Sequence, residues 1–178
     1  GVVDPDNKIF VKHKFYYIDD LLCGDFEDLK SYAVLYLSPA DYHRVHACFD
    51  MEIDRAVYLP GTLLSVRKKT VYKKDRVYCR NERIVLSGTS PYGRFYFILV
   101  GALMVGKVKL SFDSGLQTNI KRGVMASKEY LTPVQLKKGD ETGYFEMGSS
   151  VIILLEDKCL AELSGRVHEK VKMGQKLV

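Results

Sequence analysis

The sequence predicts a mainly β fold of the α+β kind: one barrel or sandwich domain with a few short helices. Three observations carry this expectation. Short segments rich in Val, Ile, Tyr and Phe recur along the chain, and these residue types suit a pleated, half-buried surface. Gly, Pro and Asp punctuate them at close intervals, as turns require. Helix start signals are few, and 178 residues suit one core rather than two, so the span 1–178 reads as a single domain.

Taken in order, residues 10–17 read as the first strand, with short turns of helix over 19–22 and 24–30. A strand over 32–37 ends at Ser38-Pro39, where a capping residue before proline signals a short helix over 39–43. Strands over 77–80, 83–87, 95–100 and 107–112 follow, divided by Gly88, Pro91-Tyr92-Gly93, Gly101 and Gly106. The longest apolar stretch, 95–105, is closed by Arg94 and Lys107 and falls short of the ~20 residues of a spanning helix, so it reads as a buried strand or strand pair. Gly139-Asp140 and Gly165 frame a last strand over 150–155. No repeat, low-complexity tract or linker divides the chain.

Composition excludes several classes. With 47% hydrophobic and 28% charged residues the chain is not disordered. Cys23, Cys48, Cys79 and Cys159 are scattered without a CxxC pair, which gives neither a zinc site nor a disulfide framework. No Asn-x-Ser/Thr acceptor occurs. The first residue is Gly1, so the chain reads as a piece of a longer protein with its targeting or anchoring region outside it. Residues 1–60 carry a net −5 and residues 61–178 a net +10. The basic part peaks at Arg67, Lys68, Lys69, Lys73, Lys74, Arg76 and Arg80, interleaved with Tyr72 and Tyr78. Such a stripe suits an anionic membrane surface, or nucleic acid, or a solvated hairpin whose lysines deter edge pairing.

Two segments carry candidate chemistry. His43 and His46 stand three apart in Tyr42-His43-Arg44-Val45-His46, just after Leu37-Ser38-Pro39. Downstream, Lys138-Gly139-Asp140-Glu141-Thr142-Gly143-Tyr144-Phe145-Glu146-Met147-Gly148-Ser149-Ser150 runs into an apolar segment, 151–155. A serine after a glycine, at the mouth of a buried strand, is held rigidly while its neighbour takes an unusual backbone angle. With a histidine base it can attack a carbonyl, including that of the preceding glycine. Each piece alone also has a plainer reading: Gly-Ser-Ser as a loop, and the histidines as a structural pair or a metal fragment. His13 and His168 add no supporting ligand pattern.

Together the segments resemble the phosphatidylserine decarboxylase family. LSPADYHRVH is similar to its histidine motif and KGDETGYFEMGSS to its self-cleavage motif. Between them Tyr58-Leu59-Pro60-Gly61, Leu63-Leu64-Ser65-Val66, Asn81-Glu82-Arg83-Ile84-Val85-Leu86 and 100–106 follow the family's order, and Gly174-Gln175-Lys176-Leu177 resembles its end.

The resemblance implies a pyruvoyl-dependent conversion of phosphatidylserine to phosphatidylethanolamine and carbon dioxide. The pyruvoyl group would come from Ser149 by cleavage at Gly148-Ser149, leaving a large chain 1–148 and a small chain 149–178 that stay associated. The family usually has threonine after this serine; here it is Ser150, the obvious decoy. His46 corresponds to the base that activates Ser149, and His43 to the histidine beside the cofactor and substrate during decarboxylation. Tyr36 is expected to line the same pocket, or to pack in the core. Asp6, with Asp4 in reserve, corresponds to the carboxylate that orients His46; matching on proline would instead put Asn7 there. Peripheral membrane contact is implied, on a bacterial inner membrane or a mitochondrial or endomembrane system. A homodimer is left open; no nucleic-acid partner and no metal are expected. Two other classes remain for comparison: a non-catalytic, lipid-binding or structural relative, and a carrier-like module modified at Lys137 or Lys138.

Overall fold

The computed structural model describes residues 1–26, 28–103, 107–120, 123–166 and 169–177. The chain opens with a hairpin, β1 (Lys8–Val11) and β2 (Lys14–Tyr17), that pairs Phe10 with Phe15. The strand expected over 10–17 is thus two strands. Lys12 and His13 both take left-handed backbone angles, φ 50° and 67°, which gives a two-residue turn of the hand that suits a twisted hairpin.

There follow α1 (Ile18–Leu22), β3 (Ser31–Leu37), β4 (Arg44–His46) and β5 (Met51–Leu59). Two short helices, α2 (Lys68–Lys73) and α3 (Val77–Arg80), precede β6 (Arg83–Ser90), β7 (Gly93–Val100) and β8 (Val108–Leu110). The chain ends with β9 (Ala126–Leu136), β10 (Glu141–Phe145), β11 (Ser149–Leu155) and a 3-10 turn, Cys159–Gly165. The mainly β class is borne out: a six-stranded sheet runs β3-β11-β7-β6-β5-β9, a three-stranded one β4-β10-β8, and the hairpin stands apart.

Some local expectations are corrected. Residues 77–80 form α3, not a strand, because Arg76 enters left-handed and Val77 and Tyr78 are drawn wholly into the core. The basic stripe 67–80 is therefore a pair of helices rather than a hairpin. Residues 39–43 form a turn instead of a helix: the Asp41 carboxylate accepts the Ser38 N–H at 2.7 Å, so the capping runs the other way. Residues 24–30 form no helix among the described positions. Of the expected glycine-bracketed segment, 104–106 lies outside the described residues.

β11 is the structural centre. Antiparallel ladders hold it to β3 on one side and β7 on the other, and its residues from Ser149 to Leu155 are all buried. A continuous apolar run is what a strand covered on both faces needs. A buried polar trio ties loops to this sheet. The Asn81 amide donates to Leu64 O and Gly101 O, and Glu82 accepts the Asn119 N–H and the Tyr58 hydroxyl. The Arg83 guanidinium donates to the carbonyls of Asp20, Leu21, Cys79 and Asn81. Each pairing satisfies a group that would otherwise be costly to bury.

Candidate active site

Ser149 begins β11 opposite Leu37, and Ser150 lies opposite Tyr36. Side chains alternate across a strand, so Ser149 and Ser150 face opposite sides of the sheet. Both hydroxyls are buried, and neither has a hydrogen-bond partner. An orphaned buried hydroxyl costs about 1–3 kcal/mol; at Ser149 it leaves the oxygen beside the Gly148 carbonyl with nothing to compete for it.

The residue before it is held closely. The Gly148 N–H donates to His43 Nε2 at 3.0 Å. A Cβ on Gly148 would lie 3.2 Å from Pro39 N and 3.3 Å from Leu37 O, so the Leu37-Ser38-Pro39 turn packs tightly against it. The unusual backbone angle expected there is absent: Gly148 is not left-handed, and it is the close approach of the turn that favours glycine.

His43 reaches Gly148 because β4 and β10 run antiparallel. Phe145 N–H donates to His43 O at 2.9 Å, and Tyr144 pairs with Arg44. Since Nε2 accepts from Gly148, the ring proton belongs on Nδ1. Nδ1 is buried and without a partner. Pro39 O lies 3.2 Å from Nε2, an acceptor for the other tautomer.

His46 sits at the other end of the same short strand, opposite Glu141. Its Nδ1 donates to Gly139 O at 2.7 Å, and its Nε2 accepts the Tyr42 hydroxyl at 2.8 Å. The Tyr42 ring stacks on the imidazole, with centroids 5.8 Å apart. Gly139, at φ 98°, turns its carbonyl into this position. The tautomer is that of a base: Nδ1–H is fixed by an acceptor, and Nε2 has its lone pair directed outward. Its present partner is Tyr42 and not Ser149.

Asp6 is not brought to either histidine. It lies on an exposed turn, paired with Lys8 at 2.8 Å, and the Lys8 contact holds its carboxyl below the usual range. Asp4 accepts the N–H groups of Asp6 and Lys8, so it shapes the turn. Asn7 in that turn is left-handed, φ 56°. Two carboxyls flank the histidine motif: Asp41, whose pKa is lowered first by the Ser38 N–H with a smaller contribution from His43, and Glu141, lowered first by the Ser111 hydroxyl with a smaller contribution from His46.

On the Ser150 side the structure brings to Tyr36 and Tyr78 a residue the sequence did not flag, Lys12. Lys12 Nζ sits 4.3 Å from the centroid of the Tyr36 ring and 5.8 Å from that of Tyr78, and donates to Val66 O at 2.6 Å. Burial lowers its pKa to about 8. The Tyr78 phenol is raised to about 12, mainly by burial. Tyr36 itself stays 39% exposed, so this edge opens to solvent. The only sequence signal for Lys12 was its place between two aromatic-rich half-strands. Among the described residues no group of three or more His, Cys, Asp and Glu side chains could hold a metal ion.

Comparison with known proteins covers the whole chain. A family model described as phosphatidylserine decarboxylase matches residues 1–178. The chain is 37% identical over 179 residues to the phosphatidylserine decarboxylase proenzyme of Helicobacter pylori, covering 98% of this chain and 66% of the relative. It is 38% identical over 172 residues to that of Campylobacter jejuni, covering 94% and 64%. It is also 38% identical over 184 residues to that of Brevibacillus brevis, covering 99% and 65%. The chain thus spans slightly under two thirds of the length of these relatives.

Proposed function

The chain belongs to the phosphatidylserine decarboxylase family, and on that premise we propose that it decarboxylates phosphatidylserine with a pyruvoyl group made from its own Ser149. The observation that carries this reading is the buried, unpartnered Ser149 hydroxyl behind a glycine clamped by His43.

Processing begins when Ser149 Oγ loses its proton to His46 Nε2 and attacks the Gly148 carbonyl carbon. The peptide C–N bond breaks, the freed nitrogen takes a proton, and Gly148 is left as an ester on Ser149. Loss of the Ser149 α-proton expels the Gly148 carboxylate, and water releases ammonia from the remaining dehydroalanine to leave the ketone. For His46 to act, Tyr42 must give up Nε2; the Gly139 carbonyl keeps the ring in the base tautomer meanwhile. The orienting role of Asp6 is carried by the sequence resemblance and requires it to leave Lys8 and to replace the Gly139 carbonyl at His46 Nδ1.

When present, the pyruvoyl group supplies a carbonyl that takes the substrate amine and accepts the electrons released as carbon dioxide leaves. His43, bonded through Nε2 to the Gly148 N–H, holds a proton at a buried Nδ1 with no competing acceptor and delivers it to the substrate carbon. Tyr36 lines the open edge. After the cut the small chain keeps its place as the middle strand β11, with β3 and β7 on either side. The basic segment around α2 supports peripheral contact with a membrane; no helix among the described residues is long and apolar enough to cross one.

The test is an intact mass spectrum with a ketone-reactive hydrazide. Two polypeptides are expected, residues 1–148 and a smaller one from 149, with label on the smaller alone. A fully active uncut chain, or label at Ser150, overturns the reading.

A further inference from the structure

We propose that the β1–β2 hairpin and α2 together form a face that docks on an anionic lipid bilayer, with Phe10 and Phe15 entering its interface. This deepens the decarboxylase reading and rests on it for the identity of the substrate; the surface itself is argued from geometry.

The hairpin breaks the rule for a ribbon with one covered face. Its inward residues Ile9, Val11 and Tyr16 are buried, so alternation should put polar residues outward. Outward instead stand Phe10, Phe15 and Tyr17, at 49%, 60% and 49% exposure. Phe10 and Phe15 are cross-strand partners with ring centroids 5.0 Å apart. The patch continues onto α2 through His13, whose ring lies 6.4 Å from that of Tyr72, itself 66% exposed. Contiguous exposed aromatics of this kind mark an interaction surface.

The surrounding charge selects the partner. Arg67, Lys68, Lys69, Lys73 and Lys74 are exposed and form no ion pair among the described residues. Of the acidic groups nearby, Asp75 is engaged by Lys14, Asp20 by Arg76 and Asp6 by Lys8. An apolar wedge beside uncompensated lysines matches the boundary between acyl chains and anionic headgroups. Two phenylalanines packed on each other also suit insertion better than base stacking, which needs separate ring faces.

The face continues inward to the Tyr36 edge of the sheet. Lys12, at the hairpin tip, turns inward over Tyr36 and donates to Val66 O just ahead of α2. Tyr36 pairs with Ser150, whose side chain lies on the sheet face opposite that of Ser149. A headgroup held at the hairpin therefore has Tyr36 as its next contact inward.

The experiment uses vesicles of phosphatidylcholine with and without phosphatidylglycerol, which is anionic but lacks the serine, so docking is read apart from chemistry. The chain is expected to partition onto the anionic vesicles in a salt-sensitive way. Lys68→Glu/Lys69→Glu/Lys73→Glu should lose at least about 10²-fold, since each lysine near the surface contributes roughly fivefold. Phe10→Ser/Phe15→Ser should lose about tenfold or more. Both variants should still be cut at Ser149 and still turn over a short-chain, soluble phosphatidylserine, which also shows that they fold. Unchanged partitioning of either variant overturns the proposal, as does an equal loss on soluble substrate. So does binding of a single-stranded oligonucleotide as tight as that of the anionic vesicles. A chain that docks but is never cut sinks the decarboxylase reading and leaves the docking face standing.

Discussion

Replacing His43 and His46 separately should split the life of this protein into its two chemical stages. His46→Ala removes the proposed base, so a single uncut chain without activity is expected. His43→Ala removes the 3.0 Å bond from the Gly148 N–H. A hydrogen bond of this kind contributes about 0.5–1.5 kcal/mol, so cleavage should slow by no more than about tenfold. The same change removes the proton held on Nδ1, and loss of a general acid costs roughly 10²–10⁴-fold. Decarboxylation should therefore fall by at least about tenfold more than cleavage does. Denaturing electrophoresis over time reads the first rate. Carbon dioxide release from protein already cut, normalised to hydrazide-labelled small chain, reads the second. If the His43 variant stays uncut while the His46 variant processes normally, the roles are reversed and the contact with Gly148 is the catalytic one.

Two further outcomes follow from the core. After cleavage, five buried apolar side chains of β11, residues 151–155, still hold the small chain; at about 1.5–3 kcal/mol each, that is on the order of 10 kcal/mol. The fragments should co-elute in native gel filtration and part only in denaturant, and separation in native buffer would refute the central role of β11. Lys12 gives a pH signature. Burial lowers its pKa from 10.5 to about 8, so between these values the unfolded chain binds more protons and the Lys12 contribution to stability rises with pH. The stability advantage of Lys12→Met over the parent should therefore shrink from near-neutral pH to about pH 10. Urea midpoints at both ends measure it, and a constant difference counts against a buried ammonium.

What could be read from the sequence was governed by how local the cause was. β3, β6, β7 and β11 announce themselves as apolar, β-branched and aromatic runs, and the structure has them within a few residues of the expected bounds. β9 does not: Ala126–Leu136 is mostly polar, contains Pro133, and is a strand because β5 offers it an edge. The Val77–Arg80 segment has strand-like residues, yet it packs as a helix under the hairpin, where Tyr78 meets Tyr16 edge-on. Tertiary burial overrode local preference there.

The site divides in the same way. The glycine-serine junction and the two histidines are legible because each is a short motif, and the fold brings His43 to Gly148 across 105 positions. The group facing His46 Nδ1 is a backbone carbonyl, Gly139 O, and no side-chain pattern can encode that. Lys12 is the reverse case: a surface-looking lysine in the sequence that a left-handed turn swings over Tyr36. The same turn leaves Phe10 and Phe15 outward. A two-residue reversal thus sets both the inward cation over Tyr36 and the outward apolar wedge, which is why substitutions that straighten it should disturb docking and the Tyr36 edge together.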